Sequence, residues 1–167
     1  MDAPDTRPAM FRNAMARMGA AVSVVSSDGA GGRCGVTATA VCSVTDAPPT
    51  LLVCLNRSSA MNAVFKVNGR LCVNVLSADH EGIARDFAGQ TGVPMADRFA
   101  AGDWVNSPLG LPMLQSALAT FQGDIVRADE VGSHTVMLVE ALDIGVHPGG
   151  GDGLVYFDRF FHRVSSV

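Results

Sequence analysis

The segment Asn56-Arg57-Ser58-Ser59 gathers an amide, a guanidinium and two hydroxyls directly after the apolar run TLLVCL and before a helix-like stretch. Hydroxyls, backbone N–H groups and a helix N-terminus together suit a phosphate. With 12 Lys and Arg against 16 Asp and Glu, and Lys66 the single lysine, Arg57 is the natural counter-charge there. The same four residues also read as an ordinary helix cap. Upstream, Thr37-Ala38-Thr39-Ala40 alternates hydroxyls with small side chains, and Ser43 adds another hydroxyl. Small residues let a ligand approach the backbone closely; they equally suit a strand packed under a helix. His134 follows Gly132-Ser133 at the head of an apolar run, where it serves either as a hydrogen-bond donor to a ligand or as a structural residue. Asn62 and Lys66, four apart after the donor cluster, could face the site or the solvent.

Other chemistries are not signalled. Cys34, Cys42, Cys54 and Cys72 stand 8, 12 and 18 residues apart, with no CxxC and no histidine at ligand spacing, so no metal site is expected. No GxGxxG follows a strand, and P-loop, HExxH and GxSxG are absent. Gly149-Gly150-Gly151 is followed by no helix-forming run and reads as a tight loop.

The elements that must hold these residues are mostly strands. A helix is predicted from Pro8 to Gly19, a strand over 21–27, a turn at DGAGG, and a second strand resuming near Arg33, with small or hydroxyl residues alternating with apolar ones over 36–44. Asp46-Ala-Pro-Pro is a turn, and Thr50–Leu55 reads as a strand buried on both faces. Ser58 or Ser59 caps a helix that Asn68-Gly69 stops before the strand 71–76. A short helix follows over 81–87, then a Gly- and Pro-rich excursion from Gly89 to Pro112 with a turn of structure near Met95–Phe99. Two longer strands, 117–128 and 134–142, join through DEVGSH as a hairpin. HPGGGDG is a loop, and the last strand begins at 154–157. About seven strands against two or three helices favour a mainly β, partly closed antiparallel barrel with peripheral short helices, a single domain over residues 1–167.

Composition narrows the partners. Hydrophobic residues make up 48% and charged residues 17% of the chain, with a net charge of −4. Disorder is expected only in the first and last few residues. No basic cluster marks a nucleic-acid binder or a membrane anchor. MDAPDTRPAM lacks the features of a signal peptide and no apolar run reaches about 18 residues, so a cytoplasmic protein with reduced thiols is expected. The apolar excess over so small a surface favours a dimer. These observations alone stop at a soluble β-rich domain.

Four segments carry a resemblance further: CGVTATAVCSVTDAPPTLLVCLNRSSAMNAVFKVNGRLCVNVL (Cys34 to Leu76), FAGQTGVPMADRF, VGSHTVMLVE and GLVYFDRFFH. Together they resemble the short-chain flavin reductase family, the reductase components of two-component monooxygenases of the 4-hydroxyphenylacetate 3-monooxygenase type. Pyrimidine-utilisation flavin reductases and corrinoid reductases belong to the same group. The resemblance implies an FMN-binding split barrel, a homodimer with flavin near its interface, and NADH or NADPH reducing FMN or FAD for a separate oxygenase. On the matched positions it places the flavin along Thr37, Ala38, Thr39, Ala40 and Ser43, with Asn56, Arg57, Ser58 and Ser59 at the phosphate. It sets His134 over the ring where nicotinamide docks. Phe87, Tyr156, Arg159, Phe161 and His162 are expected near the pocket, and for the aromatics a core role fits equally. A corrinoid reductase using bound flavin, or a non-catalytic flavin- or haem-binding barrel, are the alternative readings.

Overall fold

The computed structural model describes residues 5–166; residues 1–4 and 167, among the ends expected to be disordered, lie outside the described residues. In chain order these residues form α1 (Arg7–Met15), β1 (Ala20–Ala21), β2 (Ser23–Ser27), β3 (Cys34–Ala38), β4 (Val41–Asp46), β5 (Pro49–Asn56), α2 (Ala60–Asn68) and β6 (Arg70–Val75). A 3-10 turn, Ala78–His80, leads into α3 (Glu81–Phe87), and then come α4 (Met95–Arg98), β7 (Trp104–Asn106) and β8 (Pro112–Leu114). The long hairpin β9 (Ala119–Val131) and β10 (His134–Val146) precedes β11 (Gly153–Phe157) and β12 (Phe160–Val164). The strand at 160–164 was not expected, and neither were the short β7 and β8.

Seven strands pair antiparallel in the order β3-β2-β6-β9-β10-β5-β4. The two outermost strands, β3 and β4, are consecutive in the chain and are joined only by Thr39 and Ala40. The sheet thus curls until its edges meet through covalent chain, which makes the expected partly closed barrel. The strand expected to resume near Arg33 begins at Cys34, and the alternating stretch 36–44 is broken at this link. Inside lie Val25, Val53, Leu55, Leu71, Val73, Met137 and Val139, with Phe65 of α2 plugging one end. Ser59 caps α2 by accepting from the Met61 N–H, and Gly69 closes it at φ 67°, a left-handed position where glycine has no Cβ penalty.

Burial on both faces falls on β2 rather than on β5, correcting the expectation. In β5, Leu51, Val53 and Leu55 are buried while Leu52 and Cys54 are only partly covered. β2, with three serines in five residues, is buried throughout. Its hydroxyls make that tolerable: Ser26 Oγ donates to the Pro112 carbonyl (2.5 Å) and Ser27 Oγ to that of Arg70 (2.6 Å). A second core outside the barrel packs Val22, Val24, Leu76, Ala84, Phe87, Leu114 and Leu154 under the small sheet β1-β11-β12. A hydrogen-bonded chain closes this layer. Ser77 N–H meets His80 Nδ1 (3.2 Å), His80 Nε2 meets Ser116 Oγ (3.0 Å), and Ser116 donates to Asp103 (2.7 Å). Because a backbone N–H points at Nδ1, the imidazole proton belongs on Nε2.

α1 ends at Met15 rather than at Gly19 and buries no side chain; Met10 (65% exposed), Phe11 (67%) and Met18 (63%) stand open. It is fastened by the two-residue turn between β11 and β12. Asp158 N–H donates to the Ala16 carbonyl (2.7 Å) and Arg159 to Asn13 Oδ1 (2.6 Å). Both turn residues have positive φ (47° and 70°) without being glycine, a backbone cost that the attachment of α1 offsets.

Candidate functional site

The break between β3 and β4 opens a cleft of about 230 Å³ whose wall includes Thr37, Ala38, Thr39, Ala40, Asn56, Ser59, Asn62 and His134. Seven of the residues expected at the site, all of these but Asn62, therefore meet in one place. Strand pairing explains this: Asn56, the last residue of β5, is the Cα partner of His134, the first of β10. Arg57 N–H donates to the Ser133 carbonyl (2.9 Å), and Arg57 Nη1 to that of Gly132 (3.1 Å), so the loop after β5 and the hairpin turn are braced together.

The donors available at this cleft are specific. Leaving the ladder frees the backbone N–H groups of Thr39 and Ala40, which donate to nothing among the described residues, while the Ala40 carbonyl is taken by Cys54 N–H. At the other end Asn56 Oδ1 accepts from both the backbone N–H and the hydroxyl of Ser58 (each 2.9 Å), turning the chain into α2. Ser59 Oγ accepts from Met61, its own proton stays available, and the Ala60 N–H at the head of α2 has no described partner. A helix N-terminus with free N–H groups attracts an anion.

Arg57 is not an isolated cation. It pairs with Glu130 (2.6 Å), which also holds Lys66 (3.1 Å). The Lys66 hydrogen bond and the Arg57 charge keep the Glu130 carboxyl below the usual range, so two positive groups share one negative, Arg57 just before the helix head and Lys66 in the last turn of α2. Lys66 thus belongs to this cluster. Asn62 is turned inward rather than to solvent.

Other expected residues fall elsewhere. Thr37 lies on the cleft, but its hydroxyl is committed to the Ala84 carbonyl (2.7 Å). Ser43 is exposed on β4, outside the cleft. Phe87 is 1% exposed and packs edge-on to Phe99 (centroids 4.9 Å apart) and near Trp104 (5.4 Å); its helical face turns it into the outer core, so it cannot stack on a ligand. Tyr156 and Arg159 line a larger neighbouring groove of about 700 Å³ that shares Thr39 and Ala40 with the cleft and is walled by Phe11, Arg12 and Met15 of α1. Phe161 packs on Tyr156 (5.1 Å), and His162 bonds to the Phe157 carbonyl (3.1 Å). The α1 wall escaped the sequence reading, although the helix's apolar spacing without a buried face was its signal. Cys54 is a further lining residue, while burial pushes the Cys34 and Cys72 thiols up to about 12 and makes them inert. Among the described residues no group of three His, Cys, Asp or Glu could hold a metal, and no helix is long and apolar enough to cross a membrane.

The arrangement fits a flavin. A flat ring with polar edges needs small side chains and backbone donors, which Ala38, Thr39 and Ala40 present; a terminal phosphate needs donors and positive charge, which the head of α2 and Arg57 present. The cleft alone is smaller than the usual 300 Å³ or more of a ligand pocket, and the adjoining groove supplies the remaining room.

The sequence pattern of the flavin reductase like domain matches residues 15–165. Over 160 residues, 96% of this chain and 94% of its relative, the chain is 60% identical to the 4-hydroxyphenylacetate 3-monooxygenase reductase component of Pseudomonas aeruginosa. It is 50% identical over 165 residues, 98% of this chain and 90% of the other, to the FMN reductase (NADH) RutF of Variovorax paradoxus. Among solved structures, the NADH:FAD oxidoreductase SgcE6 of Streptomyces globisporus superimposes with a TM-score of 0.87 at 29% identity, covering 99% of this chain and 98% of that one.

Proposed function

The chain belongs to the flavin reductase like domain family, and on that footing we propose that it takes hydride from NADH and reduces FMN or FAD for a separate oxygenase component. The observation that carries this is the gap at Thr39-Ala40, where free backbone donors, an anion-binding helix head and His134 converge. When bound, the flavin supplies the hydride acceptor and the nicotinamide nucleotide the hydride. The protein's own part is to bind and align. Thr39 and Ala40 N–H groups would hold the ring edge, Arg57, Ser59 and the head of α2 the phosphate, and His134 the nicotinamide side. Tyr156, Arg159 and Arg12 line the groove available to the rest of the dinucleotide.

The protein acts as a homodimer in the cytoplasm. The open apolar side chains of α1, with Phe160 (69% exposed) and Val164 of β12, form a face of the kind a second copy covers. The described cysteines are all free thiols, in keeping with a reducing compartment.

Anaerobic mixing of the purified protein with NADH tests the activity. Bleaching of the flavin band that multiplies with added free FMN is the expected result. Bleaching limited to one bound equivalent would replace free flavin by another acceptor, and no bleaching would leave a binding protein.

A further inference from the structure

Asn62 stands in the first turn of α2, only 3% exposed, beneath the cleft. Its Nδ2 donates to the Leu55 carbonyl (3.3 Å) and lies 3.1 Å from Thr135 Oγ1, whose hydroxyl reaches Asn62 Oδ1 at 3.2 Å. Leu55 and Thr135, the latter fully buried, are Cα partners one rung from Asn56 and His134. A single buried amide therefore fastens the head of α2 to the rung next to the one that carries His134. Packing alone does not require it. Phe65, one turn along the same helix, joins α2 to the barrel core through apolar contact, and a buried polar pair is costly unless each member satisfies the other. What a hydrogen-bonded joint adds over an apolar one is a fixed direction and distance.

Resting on the reading of this cleft as the flavin and nicotinamide site, we infer that Asn62, with Thr135, is a positioning residue that sets the spacing between the helix head holding the flavin phosphate and His134. Neither side chain reacts. Their joint keeps two recognition elements in one register, so disturbing it affects both ligands at once. A substitution confined to the phosphate end would affect only the flavin.

The test is the double variant Asn62→Leu/Thr135→Val, which removes both polar partners and avoids leaving one unpaired. Dissociation constants for FMN and riboflavin are measured by fluorescence quenching, together with the KM for NADH and the melting temperature. The riboflavin-to-FMN ratio is expected to fall about tenfold, the equivalent of one misaligned charge-assisted hydrogen bond, and the NADH KM to rise severalfold, with melting near native. An unchanged ratio and KM beside a lowered melting temperature would make the pair a structural joint only and overturn the inference. If the double variant does not fold, Thr135→Val alone is read for the same ratio, and Thr135→Ser, which keeps the hydroxyl, is expected to retain it. A native protein that binds FMN and riboflavin equally would instead overturn the phosphate reading itself.

Discussion

Phe87 offers the sharpest separation of core from site, because the family resemblance leaves it either near the pocket or in the core and the structure places it behind the wall. Its ring edge presses on Gly35 of β3, where a Cβ would come within 2.6 Å of Cε1, and it forms close aromatic pairs with Phe99 and Trp104. Phe87→Leu keeps an apolar residue but removes both pairs, each worth about 0.5–1.5 kcal/mol. The sum is about 1–3 kcal/mol. At about 2–4 °C per kcal/mol for a domain of this size, melting should drop by roughly 2–12 °C. Trp104, the single tryptophan, touches the altered ring and reports unfolding by its own emission. Flavin affinity, read by quenching in the same samples at a temperature where both proteins are folded, should stay within about twofold of native. A flavin dissociation constant raised tenfold with melting unmoved would refute the reasoning and return Phe87 to the ligand.

Four further outcomes are expected. Arg57→Ala should weaken FMN about three- to tenfold more than riboflavin, a charge-assisted contact discounted for exposure, while Glu130→Gln should tighten FMN by freeing the guanidinium; equal losses for FMN and riboflavin would remove Arg57 from the phosphate. His134→Ala should raise the KM for NADH more than it weakens flavin binding, and steady-state kinetics showing only flavin affinity changed would contradict its place on the nicotinamide side. Burial holds the His80 imidazole below its ordinary 6.5, although Asp103 and Asp79 pull the other way. The unfolded chain therefore takes up that proton first on acidification. The stability His80 contributes is full above about pH 6.5 and is lost as pH falls through the lower folded value. Trp104 emission should shift in that window in the native protein and not in His80→Gln, which keeps an acceptor for Ser77 N–H; identical profiles would discard a role for the Ser77–His80–Ser116–Asp103 chain.

Much of this was legible in the residue order because local signals agreed with the fold. Ser59 and Gly69 bound α2 as their chemistry requires, and Glu81–Phe87 is helical as read. The hairpin turn falls on Gly132-Ser133, with Gly132 at φ 55°. Asn56, Ser59 and His134 are brought together, because one rung of sheet joins the end of β5 to the start of β10. What was not legible depended on partners distant in sequence. β5 looked wholly apolar, yet one of its faces lines the clefts. β2 looked half polar, yet both its faces are covered because Pro112 and Arg70 supply acceptors for its serines. Ser43 has the right chemistry on the wrong segment: after the break at Thr39-Ala40, β4 carries it away from the cleft. Phe87 stayed open between pocket and core for another reason, since proximity in a matched segment says nothing of which way a helix turns its aromatic.

The break between β3 and β4 has a bearing on how such a protein gives its product away. Elsewhere around the barrel, admitting a ring between strands would mean unzipping paired backbone. Here the chain has left a stitch undone, and the amides of Thr39 and Ala40 donate to nothing among the described residues. If the proposed reading of the cleft holds, loading and unloading would trade guest for solvent along an existing seam, with no strand parting from its neighbour. A carrier of a diffusible reductant needs such a berth, one that grips well enough to align its occupant and is built so that departure leaves nothing torn.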